Sequence, residues 1–394
     1  MIETMETEIC IVGAGPAGAT ASLLLAKHKI PHILIDKATF PREKVCGDAL
    51  TLEAMHTLNQ IDEKYVESFK SHSDFLPSWG LSASSPSGKE LSMTLPKDLP
   101  FAPFYVVRRS AFDNFLVENL DANYVTSFFG AEVMGVIQKD GKAEVLFEQN
   151  GVERKVIANI IFGADGATSA VHKFLSGEKR KDLEHNSASV RAYYSGVTGF
   201  GDKNEIEFHF IKDLLPGYFW IFPMPNGEAN VGVIVKSKDA NKLRKKFHEI
   251  IETHPKFAPR FKNAKIQGKL QGWTLPLNSV KRNLAGANFM LLGDAGSLIE
   301  SFSGKGIGIA MISARVAVEF ALKAIEKQDF SADQLSEYNT AMYKRYNTEW
   351  LMSYKFQQWY ESSTFVNFLT HLYNFPGMRQ LTETLLEKWT RKWM

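Results

Sequence analysis

A chain of 394 residues, 44% hydrophobic and 23% charged, is too long for one small domain and has the composition of a large buried core rather than of disorder. A formal net charge of +2 excludes the strongly basic surface of a dedicated nucleic-acid binder. Two cysteines, Cys10 and Cys46, fit a reducing compartment, and no stretch reaches the about 18 apolar residues of a bilayer span.

The segment Met1–Glu6 is acidic and lacks the apolar region of a signal peptide. The expected location is cytoplasmic, with peripheral membrane contact left open. Residues Glu8 to Val12 then read as a short apolar strand, with Cys10 in the core. Gly13-Ala14-Gly15-Pro16-Ala17-Gly18 follows and opens an Ala- and Leu-rich helix that runs to about Lys27. A second strand, His32 to Ile35, ends at Asp36. This is the dinucleotide-binding βαβ pattern in its proper context. Gly13 allows the tight turn, Gly15 leaves room for a pyrophosphate, and Gly18 lets helix and strand pack closely. The helix N-terminus offers N–H groups and a positive dipole end to the phosphates. Asp36 is placed to accept hydrogen bonds from ribose hydroxyls. The candidate cofactor contacts here are Gly13, Gly15, Pro16, Ala17, Gly18, Asp36 and Lys37. The pattern alone does not separate FAD from NAD.

Two later segments do. Asn159 to Phe162 leads as an apolar strand into Gly163-Ala164-Asp165-Gly166, and Phe289 to Leu292 leads into Gly293-Asp294-Ala295. Each delivers an Asp beside Gly at a strand end, where a carboxylate reaches a sugar-like chain at little steric cost. Asp294 suits the ribityl hydroxyls of a flavin. The loop Gly304-Lys305-Gly306-Ile307-Gly308 then enters a long helix, whose N-terminus can face the electron-rich pyrimidine edge of the isoalloxazine. Three such sites in this order point to FAD and add Asp165, Gly293, Asp294, Gly304, Gly306 and Ile307 to the candidate contacts. No metal site is expected.

Between these segments, residues 187–236 alternate in short runs such as Ile206-Glu207-Phe208-His209-Phe210 and read as an antiparallel sheet. Residues 75–105 should add an edge strand to it, and the chain should return to the cofactor domain around Gly272. The run Leu243-Arg244-Lys245-Lys246 reads as the solvated face of a helix. From Gln334 onward the pattern is helical and rich in aromatics: Trp350, Tyr354, Phe356, Trp359, Tyr360, Phe365, Phe368, Phe375, Trp389 and Trp393. It reads as a helical cap, with an apolar lid over a greasy substrate or a membrane-facing surface as the sharper alternatives.

The order of these motifs resembles the FAD-dependent family that includes p-hydroxybenzoate hydroxylase, and within it the geranylgeranyl reductases. The resemblance covers about residues 5–325. Arg109-Ser110-Ala111-Phe112-Asp113 looks like that family's element whose Arg contacts FAD. Lys44-Val45-Cys46-Gly47-Asp48 resembles the loop beside the flavin in the reductases. Gly217-Tyr218-Phe219-Trp220-Ile221-Phe222-Pro223, with Asn230-Val231-Gly232-Val233, resembles their Tyr-x-Trp-x-Phe-Pro element. The resemblance implies that Arg109, Cys46 and Gly47 contact the cofactor, and that Cys46, Tyr218 and Trp220 serve catalysis, Trp220 as a wall of the substrate cavity. Departures are Glu300-Ser301-Phe302 in place of Asp-Pro-Phe, Lys305 where Glu is common, and His172 where Arg is usual.

The expected fold is α/β with an α+β insert. A Rossmann-type FAD domain occupies residues 1–75, 100–185 and 272–330, and an antiparallel-sheet substrate domain occupies 76–99 and 186–271. A C-terminal helical cap occupies 331–394. The expected function is FAD-dependent reduction of carbon–carbon double bonds in a prenyl or other apolar lipid substrate, by hydride transfer from flavin N5. The alternatives are an aromatic monooxygenase and a flavin-dependent halogenase, the latter disfavoured by the lack of a convincing early lysine. The electron donor is NAD(P)H or a ferredoxin-like carrier, since no second dinucleotide motif occurs. Oligomeric state is left open.

Overall fold

The computed structural model describes residues 2–95, 98–177 and 183–392; Trp393 and the side chain of Trp389 lie outside the described residues. The chain divides into two compact units, each assembled from three segments. The first holds Met1–Glu43, Arg109–Asp182 and Pro276–Leu351, and the second holds Lys44–Arg108, Leu183–Leu275 and Met352–Met394.

The first unit is built on a parallel sheet. Glu3–Val12 lies between Val152–Gly163 and His32–Asp36, with Phe289–Leu291 beyond the former and Val125–Phe129 beyond the latter. Ile9, Ile11, Ile33 and Ile35 have helix or sheet on both sides, so these strands are continuous apolar runs rather than alternating ones. The hairpin Ala131–Lys139 and Lys142–Gln149 extends the sheet antiparallel, on the early half of Val152–Gly163. Cys10 is a core residue with no solvent exposure, and burial pushes its thiol pKa up. The register brings Val12 opposite Gly163 and Ile35, and Gly163 opposite Leu291. The carboxyl ends of these strands therefore line up, and all three glycine-containing motifs leave the sheet at that end. Helices Pro16–Lys27 and Ile307–Lys327 pack together over the sheet.

The second unit carries a seven-stranded sheet in the order Lys265–Pro276, Asn186–Ser195, Glu228–Lys236, Tyr218–Pro223, Ile206–His209, Gly80–Ser84, Glu90–Thr94. The antiparallel expectation holds within the hairpins. Ile206–His209 and Gly80–Ser84, however, run parallel, because these strands come from segments far apart in sequence rather than from a tight turn. Residues 75–105 supply two strands to this sheet instead of one. They also supply Leu76–Ser78 and Phe104–Val106, which form a separate small sheet with Ala49–Thr51. This pairing places residues 44–75 and 100–108 in the second unit. The last strand runs through Gly272, and the chain re-enters the first unit at Pro276.

Tyr218–Pro223 is buried on both faces. Phe219 and Ile221 point into a core shared with Phe247, Ile250, Phe257 and Phe261 of the helices that follow. Tyr218, Trp220 and Phe222 point the other way, into an aromatic cluster with Tyr193, Phe208 and Val106. Beyond the sheet the chain is helical, in Ala332–Trp359, Ser363–Tyr373 and Pro376–Lys392. Among the described residues, no helix is long and apolar enough to cross a membrane.

Candidate functional site

In the first unit the glycine loop is shaped by contacts that tolerate no side chain. Gly13 lies at φ +101°, a conformation open to glycine, and a β-carbon there would overlap the Ala164 carbonyl. A β-carbon at Gly18 would overlap the carbonyl oxygen of Gly13. At Gly15 the space is bounded by the Arg42 guanidinium, 3.3 Å from where a β-carbon would stand. Pro16 is the first helical residue, where its missing N–H costs nothing. No side chain caps this helix, so its leading amides are left to a ligand. Asp36 is buried. It accepts hydrogen bonds from the Ala14 amide at 2.6 Å and the Ala38 amide at 2.8 Å, which locks the loop onto the second strand. Lys37, beside it, is exposed.

Arg109 and Asp113 form a buried bidentate pair at 2.7 and 2.8 Å across one helical turn. Arg42 reaches the same carboxylate at 3.1 Å. Two guanidiniums against one carboxylate leave net positive charge beside Gly15. Arg42 was not among the residues singled out from sequence; it follows Pro41 in a stretch without periodicity, and only the fold carries it back to the glycine loop.

Asp165 gives one carboxylate oxygen to the amides of Ala170 at 2.6 Å and Val171 at 3.3 Å. Its other oxygen is buried with no partner in the protein. Burial pushes its pKa up, opposed first by the nearby Ser169 hydroxyl and then by the backbone amides around it. Gly293 lies at φ +54°, packed on Ala310 of the long helix. Asp294 follows, with an oxygen 3.6 Å from the position a Gly306 β-carbon would take. Gly304, at φ +72°, turns the chain into that helix, which begins at Ile307 and has no side-chain cap. The orphaned Asp165 oxygen, the two uncapped helix N-termini and the glycine-lined approach fit FAD. The pyrophosphate would sit at the first helix with Arg42 nearby, and the sugar chain would be met by Asp36 and Asp294.

The departures from the resembled pattern have local explanations. In place of a proline, the Glu300 carboxylate accepts from the amides of Phe302 at 3.1 Å and Ser303 at 2.7 Å and from the Ser303 hydroxyl, fixing the loop by hydrogen bonds. Lys305 forms an ion pair with Glu349 at 3.3 Å. His172 is buried, its Nδ1 3.2 Å from the Ser176 hydroxyl.

In the second unit, the Cys46 loop and Trp220 belong to one buried constellation. A β-carbon at Gly232 would overlap the Trp220 indole, so the glycine in the Val-Gly element makes room for this ring. Gly47 lies against the same ring, its missing β-carbon 3.8 Å from Trp220 Nε1 and 3.3 Å from Phe222. Trp220 Nε1 donates to Asn230 Oδ1 at 2.9 Å, so this N–H is already satisfied. Asn230 Nδ2 donates to the Cys46 carbonyl and to the Asp48 carboxylate, both at 2.9 Å. The Tyr193 hydroxyl donates to the same Asp48 oxygen at 2.6 Å. The guanidiniums of Arg108 and Arg191 each stand 3.9 Å from the Tyr193 ring. Cys46 is partly exposed and makes no disulfide. Tyr218 packs edge-on against Phe208 at 5.1 Å and Trp220 at 6.1 Å. Thus Cys46, Gly47 and Trp220 are brought together, with Tyr218 packed against Trp220. From sequence Tyr193 was legible only as a strand residue and Asn230 only as part of the resembled element; partners far away in sequence reveal their roles.

The aromatic C-terminal region divides. Tyr360 packs on Phe210 at 4.9 Å and Trp350 stacks on Tyr346 at 5.7 Å, whereas Trp359, Phe368 and Phe375 are exposed.

Residues 6–345 match the family described as FAD binding domain. Digeranylgeranylglycerophospholipid reductase of Methanocaldococcus jannaschii is 31% identical over 352 residues, covering 88% of this chain and 84% of that protein. Menaquinone reductase of Mycobacterium tuberculosis is 29% identical over 322 residues, covering 79% and 76%. In fold, a geranylgeranyl bacteriochlorophyll reductase-like protein of Thermoplasma acidophilum superimposes with a TM-score of 0.82 at 22% identity, over 94% of this chain and 91% of that one. A flavin-dependent brominase gives 0.78 at 21% identity, over 97% and 94%. The family match covers most of the chain and agrees with the cradle built by its own residues. The chain belongs to the FAD-binding-domain family, as a FAD-dependent oxidoreductase akin to the geranylgeranyl reductases.

Proposed function

We propose that the protein reduces carbon–carbon double bonds in a prenyl chain or a similar apolar lipid. The observation that carries this is the aromatic wall of the second unit, Tyr218, Trp220, Phe222 and Phe208, with the Cys46 loop hydrogen-bonded onto it. Rings of this kind, where they border a substrate, would hold an isoprenoid through apolar area and offer few polar groups to anything else. The first unit holds FAD through Gly13, Gly15, Gly18, Asp36, Arg42, Asp165, Asp294 and the Gly304–Ile307 loop, with Arg109 acting through Asp113. When bound and reduced, FAD would supply the hydride, from its N5, that saturation of an alkene needs. The Cys46 thiol delivers a proton to the other carbon; its S–H bond breaks as the C–H bond forms, and the thiolate regains a proton from solvent. The electrons enter from NAD(P)H or a ferredoxin-like carrier. The related reductases, one named for a glycerophospholipid and one for menaquinone, support a long apolar substrate. The exposed Phe368, Phe375, Leu381 and Leu385 support peripheral contact with the membrane holding such a lipid.

The test is anaerobic. Reduced enzyme is mixed with isoprenoid diphosphates and with polyprenyl lipids, while flavin reoxidation is followed by absorbance and saturation by mass spectrometry. Flavin reoxidation with gain of two hydrogens per double bond is expected. No reoxidation and no saturated product across the panel sinks the proposal. Oxygen-dependent NAD(P)H consumption with a hydroxylated or halogenated product instead establishes the oxygen chemistry that the halogenase-like fold also accommodates.

A further inference from the structure

Asp48 is conspicuous. Its carboxylate is fully buried, and its backbone lies at φ +66°, where glycine would be free of strain. Burying a carboxylate opposes folding unless its oxygens are satisfied, and an apolar residue would anchor a loop at lower cost. What the residue provides is a fixed geometry. Its carboxylate receives Tyr193 at 2.6 Å and Asn230 at 2.9 Å, and its carbonyl receives the Val107 amide at 3.0 Å. Asn230 in turn joins Trp220, the Cys46 carbonyl and Asp48 through one planar amide. Arg191 stands beside the Tyr193 ring, and Arg108, itself paired with Glu228 at 2.6 Å, stands on that ring too, so positive charge lies close to the buried carboxylate. Residues 46–48 are therefore indexed onto three adjacent strands at once, through Tyr193, Trp220 and Asn230.

We propose that Asp48, Tyr193 and Asn230 are positioning residues for the Cys46 thiol: their buried network sets the direction and the reactivity of the sulfur without touching substrate. The inference rests on the double-bond reductase reading for its catalytic consequence, though not for its chemical one. Cys10 has no exposure, so a thiol reagent reports on Cys46 alone.

The full-length, FAD-loaded protein is compared with Asp48→Gly, which suits the left-handed backbone and removes the carboxylate, and with Tyr193→Phe, which removes one hydroxyl and keeps the ring. Iodoacetamide alkylation is followed across pH values around the ordinary thiol pKa of about 8.5. Both variants are expected to change the alkylation rate about tenfold and to displace its pH profile, the order of effect of losing a hydrogen bond to a charged group, Asp48→Gly losing two such bonds and Tyr193→Phe one. On a prenyl substrate that the wild type saturates, kcat should fall about tenfold with KM unchanged. Wild-type alkylation in both variants, or a raised KM at unchanged kcat, overturns the proposal. If Asp48→Gly fails to retain flavin, Tyr193→Phe decides alone. If the wild type saturates no prenyl substrate, the alkylation profiles still decide the positioning role and only the substrate reading falls.

Discussion

At the residue scale, the cofactor cradle depends on atoms that are missing as much as on those present. Gly18→Ala places a methyl group on the Gly13 carbonyl, so the helix and strand must separate. This variant should purify without flavin, as read from its absorbance spectrum. Arg42→Met keeps the Arg109–Asp113 pair and removes the cation beside Gly15. Its FAD dissociation constant should rise about tenfold, the equivalent of roughly 1.4 kcal/mol, and lose part of its salt dependence in a fluorescence titration. Wild-type affinity in this variant would show that Arg42 only supports Asp113. Cys46→Ser retains a hydroxyl of similar size, yet a poor acid. If the thiol delivers the proton, kcat should drop about 100-fold with the flavin spectrum intact.

At the element scale, the strand Ile206–His209 is tied to the short helix Ala258–Phe261 by a buried ion pair. Arg260 meets Glu207 in a bidentate pair at 2.5 and 2.8 Å, and His209 joins it at 3.1 Å while its other nitrogen meets Ser84 at 2.8 Å. Burial pulls Glu207 upward, but the hydrogen bonds from Arg260 and His209 outweigh it and hold the carboxyl below its ordinary 4.5. Burial holds His209 below its ordinary 6.5 against the pull of Glu207. The signs follow from linkage. The unfolded chain takes up a proton that folded His209 refuses, so stability falls as pH drops below 6.5. The Glu207 contribution is present above 4.5 and is lost as pH falls further, through its depressed folded value. Urea midpoints should therefore decline in both ranges, and His209→Gln should reduce the upper decline, to which His32 and His254, also held below 6.5 by burial, contribute with the same sign. Arg260→Met leaves Glu207 buried without its main partner and should cost about 3–5 kcal/mol at neutral pH. The C-terminal helices Ser363–Tyr373 and Pro376–Lys392 expose Phe368, Leu381 and Leu385, and the link between them exposes Phe375. If they rest on a lipid surface, replacing Phe368 and Phe375 together by Glu should abolish co-flotation with vesicles and leave turnover of a detergent-solubilised substrate unchanged.

At the scale of the whole molecule, five crossings of the chain between two units make each unit depend on contacts distant in sequence. FAD binds the folded first unit and not the unfolded chain, so saturating cofactor should raise the unfolding midpoint. At a free FAD concentration about 100 times its dissociation constant, the gain is roughly 2.7 kcal/mol, measurable by calorimetry. The sequence by itself determined the phosphate cradle and its parallel sheet, because a βαβ unit is local: Gly13, Gly18 and Asp36 lie within one strand–helix–strand, where Gly18 packs on the Gly13 carbonyl and Asp36 accepts from the Ala14 amide, although the close neighbour at Gly13 is the distant Ala164 carbonyl. It also marked the strand ends at Asp165 and Asp294 and, by family resemblance, the segments that carry Trp220 and Gly232. The sequence did not show that Arg42 returns to Gly15, that Glu300 replaces a proline by hydrogen bonds, or that residues 44–75 leave the cofactor unit. Nor did it show that Asp48 meets Tyr193 and Asn230 across 145 and 182 positions of chain. Those were decided by the tertiary structure. Buried polar partners have no periodicity of their own, and a hydrogen bond between distant strands exists only once the sheet has set their register.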